Sequence, residues 1–295
     1  GLAKVAHSHG ALLLVDGAHG AHFPFSDALP HGLGGIADLF AHSQHKTMDA
    51  LTQAASLHLG ECRIGEYQVR RALAMTETTS PPYLLMASLD WSAYMAKRRD
   101  WTAQVARIAA LEPKIEAIEG LIEPKTPERC GVFERDRTRL VLDVTGRGLS
   151  GYEAQAHLEQ NGVYIEMADA RRLVLITTPN DDASWYARLL SALETLPAKE
   201  TAEGKSHHEP LRCGHHEKAM SFRAAAFCAL EQVRLENAAG RVASEPIGVY
   251  PPGIALVMPG EVITKQDVES LLRERTLGGA LFGARGGMAL VTEKR

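Results

Sequence analysis

Apolar and polar positions change rhythm several times along the chain. Residues 11–15, ALLLV, follow Gly10 and stop at Asp16, the continuous run expected of a parallel strand covered on both faces. A second short strand is predicted from Ala37 to His42, stopping at Ser43, and the alanine-rich segment behind Lys46 reads as the start of a helix. From Pro82 the period lengthens. The run YLLMASLDWSAYMAKRRDWTAQVARIAALEPKIEAIEG carries apolar residues three and four apart, which predicts a long helix, kinked at Pro113 and stopped by Gly120, that could connect two domains.

Beyond that helix, RLVLDVT reads as a strand and SGYEAQAHLEQNG as a helix with Ser150 as its N-cap and Gly162 as its stop. VYIEMAD and RLVLITT follow as strands and DDASWYARLLSALETL as another helix. The β-α-β-β-α order predicts a small two-layer α+β domain with an antiparallel pair. Residues 197–216 are polar and rich in His, Glu and Lys, as in a surface linker, and a last module is expected to hold a helix near Ala219 to Ala238, the turn-rich YPPGIALVMPGE and a flexible GGALFGARGG tail. Boundaries follow at 1–125, 126–198 and 199–295. The text starts in mid-pattern with Gly1, which reads as a fragment of a longer chain.

Composition narrows the function. With 295 residues, 45% hydrophobic and 23% charged, the chain has enough apolar material for one large core or two smaller ones. A formal net charge of -4 provides no broad basic field for a phosphate backbone, so nucleic acid is not expected as a partner. Cys62, Cys130, Cys213 and Cys228 lack paired CxxC spacing, which suits reduced thiols in a cytoplasmic protein, and no apolar run is long enough to span a bilayer.

Chemistry concentrates at the ends of the first two strands. Asp16 closes one and Lys46 stands just past the other, where open α/β sheets bind ligands. An amine that can form a Schiff base and a carboxylate that can keep a pyridine nitrogen protonated are the two groups a pyridoxal phosphate site needs most. Ser43 offers a hydroxyl to the phosphate, His45 an imidazole on the same turn, Ala18 room for a flat ring, and His19 a group within reach of a ring oxygen.

The run LLVDGAHGAHFPFSDALPHGLGGIADLFAHSQHKTMDALTQAASLHLG closely resembles the pyridoxal-phosphate-dependent ornithine/lysine/arginine decarboxylases of the aspartate aminotransferase-like fold. TETTSPPYLLMASLD, GLSGYEAQAHLEQNGVYIEMAD and YPPGIALVMPGEVIT agree in order, so the resemblance covers nearly the whole chain. It implies an α/β fold: the C-terminal part of a fold-type-I large domain, a small α+β domain and a C-terminal decarboxylase module. It further implies that Lys46 is the Schiff-base lysine, that Asp16 partners the pyridine nitrogen, that Ser43 and His45 sit near the phosphate, Ala18 against the ring and His19 near its 3-hydroxyl. Thr79 and Ser80 would lie near the cofactor or the boundary of a homodimer or higher homo-oligomer, and Glu166 and Glu261 would meet the distal cation of the substrate. The implied reaction is decarboxylation of arginine, lysine or ornithine to the corresponding di- or polyamine, with His45 or Lys46 returning the proton. Other fold-type-I activities, transamination or oxoamine synthesis, and a noncatalytic truncated homologue are the alternatives. The family usually carries an acidic residue where this chain has Gly17, a change expected to leave the loop less well fixed.

Taken singly, these residues have plainer readings. A lysine after a strand is usually solvated, and an aspartate there is usually a turn or cap residue. The pairs His19 with His22 and His42 with His45 lie inside the cofactor motif. His207–His208 and His215–His216 read as incidental surface histidines rather than metal ligands. Cys62 reads as structural, and Glu261 taken alone is a capping residue.

Overall fold

The computed structural model describes residues 1–60, 64–124, 131–132, 134–199, 211, 214–251 and 253–293. Two compact units are resolved: Gly1–Ala110 with Thr126–Thr138 and Thr177–Asp181, and Leu111–Lys125 with Arg139–Ile176 and Asp182–Arg295. Cys62, Cys130, Cys213, His207 and His208 lie outside the described residues.

In the first unit the elements are α1 (Leu2–Ser8), β1 (Leu14–Asp16), β2 (Leu39–His42), α2 (Gln44–Thr47), β3 (Ser56–Leu59), α3 (Glu66–Leu73), α4 (Tyr83–Ala96) and most of α5 (Trp101–Glu116). The sheet runs β1-β2-β3, with β1 and β2 parallel and β3 antiparallel to β2. Buried Asp38 fastens its entry: one carboxylate oxygen accepts from the Leu13 N–H at 2.7 Å and lies 2.7 Å from His7 Nε2 of α1.

The two faces of this sheet differ. On one, Phe40 stacks on His58 with ring centroids 4.8 Å apart, beside His42. On the other, Leu14, Leu57 and Leu59 are 60%, 43% and 41% exposed. The expectation that residues 11–15 form a strand covered on both faces is therefore corrected: only Leu14–Asp16 is strand, it is parallel, and among the described residues no strand pairs with its outer edge.

Local signals were overruled twice more here. The alanine-rich segment behind Lys46 does not start a helix: Gln53 adopts a left-handed conformation (φ 78°), and residues 56–59 form β3 because they complete a ladder with β2. The long helix is two helices, broken at residues 97–100 rather than at Pro113. Asp100 accepts from the Ala103 N–H at 2.8 Å and so caps a new helix, while the Trp101 indole donates to the Ala96 carbonyl at 3.0 Å, satisfying a terminal acceptor of the old one.

In the second unit β4 (Arg139–Asp143), α6 (Gly151–Gln160), β5 (Met167–Ala168), β6 (Arg172–Ile176) and α7 (Ala183–Glu194) reproduce the predicted β-α-β-β-α order, as an antiparallel sheet in the order β4-β6-β5. Ser150 caps α6 with a capping box to Glu153, and Gly162 follows the helix at φ 72°. Leu142, Leu158, Leu173, Leu189 and Leu193 are fully buried in this core, each worth about 1.5–3 kcal/mol of transfer free energy.

The remaining elements are α8 (Phe222–Phe227), β7 (Leu230–Arg234), β8 (Ile247–Tyr250), β9 (Ala255–Val257), α9 (Lys265–Thr276), β10 (Ala280–Phe282) and β11 (Met288–Thr292). The helix expected over Ala219–Ala238 ends at Phe227; Cys228 is extended, and residues 230–234 pair antiparallel with β11 along their whole length. The expected flexible GGALFGARGG tail contains β10, which pairs antiparallel with β8, and Ala284, which is buried. Nor is His216 a surface histidine. Its ring is 4% exposed and lies 3.0 Å from Asp267 and 3.7 Å from Glu261. Pairing with residues dozens of positions away decides each of these cases.

Candidate functional site

β1 and β2 run parallel with Leu14 opposite Leu39 and Asp16 opposite Ala41, so their carboxyl ends coincide. Backbone hydrogen bonds continue past the strands: the Gly17 N–H donates to the Ala41 carbonyl at 2.9 Å and the Ser43 N–H to the Ala18 carbonyl at 3.2 Å. The loop bearing Asp16, Ala18 and His19 is thereby fastened to the turn bearing Ser43, His45 and Lys46. A Cβ at Gly17 would stand 2.6 Å from Leu33 Cδ1, so the place of a side chain is already filled.

Ser43 precedes the single turn of α2 without making a side-chain cap bond. That turn projects exposed Lys46 to within 3.4 Å of Nε2 of exposed His19. Exposed Asp16 accepts from the Ala18 N–H at 3.1 Å, which orients one of its oxygens. His45 is partly buried, and its Nδ1 lies 3.0 Å from the Ala54 carbonyl. A carbonyl only accepts, so Nδ1 carries the proton and Nε2 presents its lone pair. An amine, an imidazole, a carboxylate and a hydroxyl thus gather at one corner, where the ends of α/β strands meet ligands.

A pocket of about 170 Å³ opens beside Lys46 and His45, bordered also by Asp49, Arg99, Thr178 and Asn180. Arg99 donates twice to one oxygen of Asp49, at 3.0 and 3.1 Å, and the Asn180 side chain donates to the other at 2.9 Å. Sequence reasoning did not single out these residues. Their separation along the chain hides them, and the one local hint is the polar TTPND run that closes the strand at Ile176.

Behind the corner, His42 is 5% exposed and its imidazole is pushed down to about 4, first by burial and then by the neighbouring His58 and His22. Burial also lowers His58. His22 is buried against Trp101, 3.2 Å from the Thr138 hydroxyl. These three rings belong to the packing of the sheet. Thr79 and Ser80 are exposed ahead of α4. Glu166 is exposed ahead of β5, and Glu261 accepts from the Met258 N–H at 2.8 Å; both belong to the second unit, whereas Lys46 and its neighbours belong to the first.

The family model described as Orn/Lys/Arg decarboxylase, major domain, matches residues 2–130, and the one described as Orn/Lys/Arg decarboxylase, C-terminal domain, matches residues 214–275. An arginine decarboxylase of Bacillus subtilis is 30% identical over 286 residues, and one of Halalkalibacterium halodurans is 32% identical over 290; each alignment takes in 94% of this chain. The chain spans 58% of the length of either relative. In fold it resembles the constitutive lysine decarboxylase of E. coli, with a TM-score of 0.72 at 18% identity over 95% of this chain and 54% of that one. Lysine decarboxylase A from Pseudomonas aeruginosa gives 0.69 at 17% identity over 96% and 53%. With ordered blocks of sequence, a matching mixed α/β fold and both flanking domain matches in agreement, this chain belongs to the Orn/Lys/Arg decarboxylase family.

Proposed function

We propose that the chain carries part of the catalytic apparatus of a pyridoxal-phosphate-dependent decarboxylase acting on arginine, lysine or ornithine. The observation that carries this reading is the fastening of two strand ends, which brings Lys46 and His19 together beside Asp16 and Ser43. The donor set suits the cofactor: a primary amine for its aldehyde, a carboxylate for its ring nitrogen, a hydroxyl and an imidazole for its phosphate, and the small Ala18 where a flat ring would lie. When bound, pyridoxal phosphate supplies an electron sink for the pair left behind as carbon dioxide departs.

The rest of the work falls to side chains. With the cofactor bound, the Lys46 amine would hold it, Asp16 would keep a proton on the ring nitrogen through the attraction of adjacent opposite charges, and His19 would meet the 3-hydroxyl. His45, whose Nδ1 is committed to Ala54, exchanges a proton through Nε2 and, with Lys46, returns one to the α-carbon. Exposed Glu166 is available to the distal ammonium or guanidinium of a substrate, while Glu261 would have to give up its turn contact to do so.

In this reading residues 1–125 are the later part of the cofactor-binding domain and its connecting helix, 126–198 the small domain, and 199–295 the linker and decarboxylase module. We assign the protein to the cytoplasm, on its cysteine usage, and to a homodimer or higher homo-oligomer; Tyr83 and Leu84, each 78% exposed beside Thr79 and Ser80, suit a subunit boundary. Among the described residues no helix is long and apolar enough to cross a membrane. The test is to incubate the protein with pyridoxal phosphate, reduce with borohydride and map the modified peptide, then measure carbon dioxide release from each of the three amino acids. A pyridoxyl group on Lys46 with gas release supports the proposal. Labelling with transamination and no gas would transfer the chain to another activity of the fold, and no labelling would make it noncatalytic.

A further inference from the structure

The second unit contains a cavity of about 200 Å³ that the proposed reaction does not use. Its apolar wall includes Val249, Pro251, Ile254 and Leu211; its polar groups are Tyr152 of α6, Asp169, Arg171 and Arg172 around the start of β6, and Glu274 of α9. Formal charges on the wall are two negative and two positive, so a ligand of one sign alone gains little from the net field.

Two of the four charges are already engaged. Asp169 accepts from the backbone N–H groups of Arg171 and Arg172, both at 2.7 Å, and Arg171 donates to Asp143 at 3.0 Å. Among the described residues Arg172 makes no ion pair, and Glu274 has the Tyr152 hydroxyl and the charge of Arg273 beside it. The Arg172 Nε is buried with no hydrogen-bond partner. Glu274 is 3% exposed, and its Oε2 accepts from the Tyr152 hydroxyl at 3.0 Å. Burial raises the Glu274 carboxyl and, together with the Glu274 charge, raises the Tyr152 phenol, as expected of groups that lost water without full compensation.

The arrangement is built into the chain. A Cβ at Gly279 would stand 2.9 Å from the Tyr152 hydroxyl oxygen, and one at Gly278, which lies at φ 106°, would stand 3.1 Å from the Tyr152 Cβ. Only this glycine pair at the end of α9 lets the phenol ring lie against the helix and reach Glu274. A guanidinium with a partnerless buried Nε and a buried carboxylate held on one side by Tyr152, on different elements and joined by an apolar wall, complement a dipolar molecule.

We propose that this cavity binds a free α-amino acid with an aliphatic side chain, its ammonium on Glu274 and Tyr152, its carboxylate on Arg172, and its side chain against Val249 and Ile254. The cavity belongs to the second unit, and its proposed ligand does not depend on the proposed reaction. Isothermal titration of the protein with norleucine tests it, with pentylamine and hexanoate as probes that each lack one charge. Expected are saturable binding of norleucine, retained in Lys46→Ala, and weakening of at least about tenfold for either probe and for Glu274→Gln or Arg172→Gln, the effect of one lost charge-assisted hydrogen bond. Tyr152→Phe is the gentler variant should Glu274→Gln unfold; it removes one hydroxyl and should weaken binding by a smaller factor. Absence of norleucine binding, equal binding of pentylamine or hexanoate, or full affinity in both Tyr152→Phe and Arg172→Gln overturns the proposal.

Discussion

The first unit has a three-stranded sheet with packed histidines and Phe40 on one face and exposed leucines on the other, and it carries Asp16, Ala18, His19, Ser43, His45 and Lys46 of the candidate site. The second has two closed cores in which leucines, isoleucines and valines fall to zero exposure, with ion pairs such as Arg171–Asp143 and His216–Asp267 around them. The difference teaches that the site is held by backbone rather than by a closed core. Two strand ends, two loop hydrogen bonds and one helical turn fix Asp16, His19, Ser43 and Lys46 close together, and apolar burial beneath them is needed on one face only.

The sharpest way to break the comparison is at Lys46. Lys46→Ala should abolish borohydride-stable labelling and decarboxylation while leaving the denaturation midpoint unchanged, since the side chain is exposed; a stability loss would mean that the lysine is part of the packing. Next in size is a matched pair of truncations. Leu158→Ala, in the closed core, should cost about 2–5 kcal/mol in chemical denaturation, whereas Leu57→Ala, on the open face, should fall within about 0.5 kcal/mol. Equal costs would show that something covers the open face.

Acid should find the first unit through its histidines. The fold holds His42 near 4 against an ordinary 6.5, so between those values the unfolded chain binds a proton that the folded one excludes. The stability tied to neutral His42 is therefore complete above about 6.5, falls as the pH drops toward about 4 and levels below it. A pH series of unfolding midpoints should show this slope, and His42→Phe should flatten it. The smallest effect belongs to Gly17. Gly17→Ala pushes on a flexible Leu33 methyl and should cost less than about 1 kcal/mol, and Leu33→Ala should remove that cost in a double-mutant cycle. Additive costs would mean that backbone, not Leu33, constrains the loop.

Much of the site could be read in advance because its members lie close in sequence: Asp16 to His19 in one loop, Ser43 to Lys46 in one turn. Their mutual contact, Lys46 to His19, follows once β1 and β2 are taken as parallel neighbours. Asp49, Arg99 and Asn180 could not be read that way, since no local pattern marks residues that meet only after folding. LEQVR, inside the stretch from Ala219 to Ala238 that reads as helix, is a strand because it pairs with MALVT.

By itself the sequence determined the elements whose signals are local: the cap at Ser150, the glycine stop at 162, the β-α-β-β-α succession around the small sheet, and the family motif around Lys46. Tertiary structure alone decided where the long helix breaks, which residues of the last module are strands, that the ring of His216 is buried, and that Glu274 faces a cavity with Arg172. Caps and turns are settled by energies within a few residues, whereas ladders, burial and cavities are settled by partners that only the folded chain brings together.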